Sequence, residues 1–116
     1  MSTATDLPPV QIIQQHLESF NAQDLDVFCA LCAEDVRVED SEGRVLLQGE
    51  HELRAWYTEH FAEHPELKAD LLDRISIGEW VIDENVVTGY SDGSQGHVVI
   101  MFRVSNGHIR LMRILR

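Results

Sequence analysis

Three side chains in this sequence have the types needed to move a proton beside a carbonyl: Asp40, His16 and Tyr57. Val36, Val38 and Asp40 alternate with Arg37 and Glu39, so a strand over 36–40 puts the first three on one face. Arg37 and Glu39 mark the opposite face as the solvated one. Asp40 then follows two valines onto an apolar wall, where a carboxylate is unfavourable unless it is paired or used. That placement makes it the one candidate base. The alternative is a plain hairpin residue, since Asp before Ser41-Glu42-Gly43 suits a turn. His16 interrupts an apolar stripe of Ile12, Ile13, Leu17 and Phe20, where the pattern wants Leu or Ile. It reads either as a satisfied core histidine or as a group facing Asp40 across a pocket, able to share a proton or orient a carbonyl. Tyr57 reads first as a packing aromatic whose hydroxyl finds an acceptor.

Helices and strands must position these groups. Pro8 and Pro9 suit the first turn of a helix, which the stripe through Phe20 continues. Asp24 is a good N-cap for a second helix with the stripe Leu25, Phe28, Cys29 and Cys32. The strand over 36–40 turns through Ser41-Glu42-Gly43 into another over 45–48. Gly49 opens a third helix, with Glu50 and Glu52 favouring its dipole and Leu53, Trp56, Tyr57 and Phe61 on its buried face. His64-Pro65 ends it. Strands follow over 67–77, 80–90, 97–104 and 108–115, with a bulge or turn expected near Asp83-Glu84-Asn85 and a tight hairpin at Ser105-Asn106-Gly107. Residues 1–7 read as a loose polar tail and 8–116 as one domain of the α+β class. Val98 to Phe102 is apolar on both faces, which predicts a cover on each side and self-association through the sheet.

The bulk numbers exclude several partners. A formal net charge of -11 argues against nucleic acid, whose phosphates need a basic surface, and against an anionic membrane surface. No apolar run approaches a membrane span, and Met1-Ser-Thr-Ala-Thr-Asp lacks the basic and apolar regions of a secretory leader, so a cytoplasmic chain is expected. Cys29 and Cys32 lie within a helical stripe with no second ligand pair, which favours core cysteines over a redox or zinc motif. His60 and His64 are four apart, but no Glu follows the first His, so they do not make a metalloprotease pair. Neither a metal nor a cofactor is expected. Asp73, between Leu71 and Ile75, is expected to point inward against Arg110 or Arg113. Arg110, Arg113 and Arg116 otherwise read as solvation and salt bridges of a sheet face.

The order of elements and the segment from Ala33 to Tyr57 resemble the nuclear transport factor 2-like superfamily, nearest its SnoaL-like and steroid delta-isomerase branches. Val38-Glu39-Asp40 followed by Gly43, Gly49 and Tyr57 matches the isomerases in spacing. The resemblance implies a cone-shaped, curved antiparallel or mixed sheet wrapped around three helices, a deep apolar pocket, and dimerisation through the sheet. It implies that Asp40 stands where the isomerases hold their proton-shuttling carboxylate, Tyr57 where a tyrosine braces the oxyanion network, and His16 where the oxyanion-donating tyrosine sits. Cys32 replaces a further tyrosine. Ile100 lies near the position of a protonated aspartic acid and can donate nothing.

Two functions follow as expectations. The first is an enzyme-like pocket for a small, largely apolar carbonyl compound, with Asp40 as base and His16 and Tyr57 steadying the oxyanion. Its walls are expected to come from Trp56, Phe61, Trp80, Ile100, Phe102 and Met112. The second is a non-catalytic, dimeric ligand-binding or assembly domain. What separates them is whether Asp40 and His16 line the same cavity.

Overall fold

The computed structural model describes residues 7–116. Their elements run α1 (Pro9–Ala22), α2 (Leu25–Ala30), β1 (Cys32–Glu39), β2 (Val45–Gln48), α3 (Glu50–Glu63), β3 (Lys68–Ile77), β4 (Trp80–Thr88), β5 (Gly96–Ser105) and β6 (His108–Leu115). The expected N-terminal tail lies outside the described residues except for Leu7, which packs on the core.

Local chemistry sets the helix ends. Pro9 takes the first helical position of α1, where its missing N–H costs nothing. Gln23 closes α1 in the left-handed region at φ 54°, and its N–H reaches back to the carbonyls of Ser19 and Phe20. Asp24 then accepts from the Val27 N–H at 3.2 Å and starts α2. The expected stripe of α2 runs past the end of the helix at Ala30. Cys32 opens β1 instead, paired with Ile109, while the Ile109 N–H donates to the Leu31 carbonyl at 2.9 Å. Sheet pairing ends the helix there. Both cysteines are buried, and burial pushes both thiols up, so they behave as packing residues.

The sheet has the order β2-β1-β6-β5-β4-β3. β1 and β6 are parallel and every other pair is antiparallel, so the sheet is mixed. α1 lies across β3, β4 and β5, and α3 packs on β1 and β2. Asn21 pins the end of α1 to β3: its amide donates to the Ala69 carbonyl at 3.0 Å and accepts from the Ala69 N–H at 2.7 Å. Gly89 is required where β4 ends, because at φ +86° a Cβ would lie 1.9 Å from the Glu66 carbonyl oxygen. Leu53, Leu67, Val81 and Ile109 are completely enclosed.

One expected irregularity is on the neighbouring strand. β4 runs unbroken through Asp83-Glu84-Asn85, and the register shift falls in β3 between Leu71 and Asp73. Burial alternates strictly along β4, with Val81, Asp83, Asn85 and Val87 inward. The polar pair is thus part of the inner face and not a turn. Among the described residues no helix is long and apolar enough to cross a membrane.

Candidate ligand-binding site

Helices and sheet close around a cavity of about 260 Å³. α1 contributes His16 and Phe20, α2 Phe28, α3 Trp56 and Tyr57, and the sheet Ile100, Phe102 and Met112. A cavity of about 150 Å³ already takes benzene, so this one has room for a skeleton of one to two rings.

Two buried polar groups of the cavity lining lack partners among the described residues. His16 is 5% exposed, stacked on Phe28 at 4.0 Å between ring centroids and edge-on to Phe102 at 5.7 Å. Burial lowers its pKa to about 3, so the ring stays neutral through the physiological range. Its Nε2 has no hydrogen-bond partner among the described residues. Asn85, on the inward row of β4, is 4% exposed, and its Oδ1 also has none. Asp83, two residues before it, is fully engaged. Arg74 of β3 donates from Nε to Oδ1 at 2.6 Å and from Nη2 to Oδ2 at 2.8 Å. The remaining guanidinium nitrogen donates to Gln14 Oε1 at 2.9 Å. This bidentate pair leaves neither charge uncompensated in the cavity wall.

Aromatic residues of α3 form part of the cavity lining. Trp56 is 45% exposed and stacks on His60 at 4.3 Å. Burial and then the neighbouring His64 lower the His60 pKa. His64 is occupied, since its Nδ1 accepts from the Ser91 N–H at 3.0 Å. Burial pushes the Tyr57 phenol above its ordinary value and keeps it a neutral hydroxyl at the cavity wall.

The sequence-predicted residues divide between the cavity and elsewhere. His16, Tyr57, Trp56, Ile100, Phe102 and Met112 all line it. Phe61 does not; it packs behind the wall, edge-on to Phe20 and Phe28. Trp80 does not either, because β4 turns Val81 inward and leaves Trp80 half-buried on the outer face. Asp40 is the main correction. β1 stops at Glu39 after a register shift at Val38, and Asp40 enters the hairpin turn. Its Oδ1 accepts from the N–H groups of Glu42 and Arg44, both at 2.9 Å, and those bonds hold its carboxyl below the usual range. A turn that needs two donors satisfied outweighs simple strand parity.

The buried carboxylate of this segment is Glu39, on the outer face. Arg113 donates to Glu39 Oε1 from Nε at 3.1 Å and from Nη2 at 2.8 Å, and Arg37 reaches Oε2. Arg113 first, then Arg37, hold this carboxyl below its ordinary range against the opposing effect of burial. Asp73 is exposed and accepts from the Arg74 N–H, while Arg110 pairs with Asp35. The inward ion pair expected of Asp73 is therefore made by Asp83. Sequence reasoning missed Asn85 and Asp83, although two polar residues at inward parity between valines were the available signal.

A curved mixed sheet around three helices, with a cavity between them, defines the nuclear transport factor 2-like fold. Residues 13–112 match the SnoaL-like domain, and the chain belongs to that family. Among solved structures, it is similar to an uncharacterized cystatin fold protein from Novosphingobium aromaticivorans, with TM-score 0.87 and 22% identity over 95% of this chain and 99% of that one. It is also similar to a candidate polyketide cyclase from Sinorhizobium meliloti, with TM-score 0.78 and 23% identity over 93% and 94% of the two chains. A candidate ketosteroid isomerase from Kribbella flavida superposes with TM-score 0.80 at 17% identity, over 92% of this chain and 76% of that one. At these identities the likeness is one of fold. No curated protein matches the chain by sequence.

Proposed function

We propose that this domain binds a small, largely apolar carbonyl compound of one to two rings in its central cavity, and that Asp40 takes no part. The observation that carries the reading is a buried, neutral His16, its Nε2 unpartnered among the described residues, in the lining of a largely apolar cavity of about 260 Å³. Protonated at Nε2, the neutral ring donates to a carbonyl oxygen, while Phe28 and Phe102 hold its plane. Asp40 is committed to the backbone of a turn and does not line the cavity. This favours ligand binding over proton transfer by that carboxylate. Titration with acetophenone, followed by backbone amide shifts, tests it. Saturable shifts centred on His16, Ile100 and Phe102, unaltered by Asp40→Asn, are expected. Shifts scattered over the outer surface, or their loss in Asp40→Asn, would sink the reading.

We also propose that two copies pair through the outer face of the sheet. Ile75, Ile82 and Met101 are cross-strand partners in one row of that face, and Ile75 and Ile77 are 61% and 72% exposed. Such a row on an edge strand and its neighbours is an unfavourable surface to leave in water.

A further inference from the structure

Besides His16 Nε2, Asn85 Oδ1 is the buried side-chain polar atom of the cavity lining that has no partner among the described residues, and carbonyl binding by His16 gives it no role. It stands on the inward row of β4 between Asp83, whose two oxygens are taken by Arg74, and Val87. Its backbone pairs with Leu71 on one side and Val98 on the other, so the strand does not need the amide side chain. A merely structural position would take an aliphatic residue, as Val81 and Val87 do on the same row. Instead Asn85, 4% exposed as a residue, lines the cavity, and its buried amide oxygen has no partner among the described residues. Such an oxygen is desolvated with no compensation unless an occupant supplies a hydrogen. An amide oxygen only accepts, and a ketone, ether or hydrocarbon has nothing to give it. Arg74, the cation of the adjacent strand, is directed to Asp83 and Gln14, so it does not turn to Asn85.

We propose that the ligand carries, besides its carbonyl, a hydroxyl that donates to Asn85 Oδ1, so that the natural occupant is a small hydroxylated ring ketone and Asn85 sets this specificity. The inference rests on the proposed binding of a carbonyl compound in the cavity. It assigns the two unpartnered atoms to two functions on one ligand. Nε2 of His16, on α1, takes the carbonyl; Oδ1 of Asn85, on β4, takes the hydroxyl. A site that holds a buried, unpaired acceptor favours the ligand that brings the donor, because only that ligand relieves the uncompensated desolvation.

Calorimetric titration with acetophenone, its meta- and para-hydroxy derivatives, and the methyl ethers of those derivatives tests this in the wild-type protein and in Asn85→Leu. One hydroxy isomer is expected to bind the wild type at least about tenfold tighter than acetophenone and than its own methyl ether. In Asn85→Leu the advantage should fall to about twofold or less, with acetophenone still bound. Should that variant misfold, the wild-type Asn85 side-chain amide resonances give the answer, and they should move with the hydroxy probe and not with its ether. Equal affinity for hydroxylated and plain probes, or a preference that survives in Asn85→Leu, overturns the inference and leaves the binding of a plain carbonyl compound standing. Binding of no probe overturns both.

Discussion

His16 illustrates how one residue type can satisfy two opposed readings. It is buried as a core residue would be, yet its Nε2 has no partner among the described residues. The burial has a consequence for stability. A histidine pKa lowered to about 3 from 6.5 means that the unfolded chain binds a proton that the folded one refuses at mildly acid pH. The stabilising effect of neutrality is complete above pH 6.5 and is lost progressively as pH falls towards 3. Between pH 6.5 and 5 this residue alone should remove roughly 1–2 kcal/mol of unfolding free energy. Urea unfolding at the two pH values, compared with His16→Leu, measures it: the variant should lose that increment of pH dependence. A wild type and variant with parallel pH profiles would mean that His16 is solvated. Glu39 titrates in the same sense but lower, since its depressed carboxyl stabilises the fold above its unfolded pKa and ceases to do so as pH falls through the folded one.

At the scale of elements, the Arg74–Asp83 pair ties β3 to β4 across the register of the two strands. Arg74→Met should destabilise by about 3–5 kcal/mol, because it leaves the Asp83 carboxylate buried alone. Asp83→Leu added to it should restore most of the loss, which chemical denaturation can follow; a double variant no better than the single would show that the bonds, and not the orphaned charge, matter. The same strand marks the limit of what the sequence reveals. Helix periodicity located α1 and α3, since apolar residues at three- and four-residue spacing gather on one side of a helix and on no one side of a strand. Of the face expected to be buried on α3, Leu53 and Phe61 are buried, Tyr57 is half-buried and Trp56 is exposed. Capping chemistry placed the start of α2 at Asp24. In β4 the rule that inward residues are apolar failed at Asp83 and Asn85: Asp83 is balanced by a cation from another strand, and Asn85 faces the cavity. Parity failed at Asp40 for a different reason. A side chain that can cap two N–H groups ends the strand before alternation carries it inward. Glu39, read as solvated, is instead a buried carboxylate held by Arg37 directly and by Arg113, a partner 74 residues away in sequence that no local pattern reveals.

For the whole molecule, the mixed sheet gives two surfaces of different character. The inner one wraps the helices and cavity; the outer one carries the Ile75–Ile82–Met101 row and exposed Ile77. Sedimentation at micromolar concentration should show a dimer that Ile75→Glu shifts to monomer without loss of helical signal. A wild type that sediments as a monomer throughout would remove the proposed pairing. Recognition of a carbonyl inside the cavity is tested most directly by a crystal structure with bound acetophenone. The ring is expected between Phe28, Phe102 and Ile100, with the ketone oxygen about 2.7–3.2 Å from His16 Nε2. A ketone seated outside the cavity, or bound within it with its oxygen turned away from His16, would contradict that recognition.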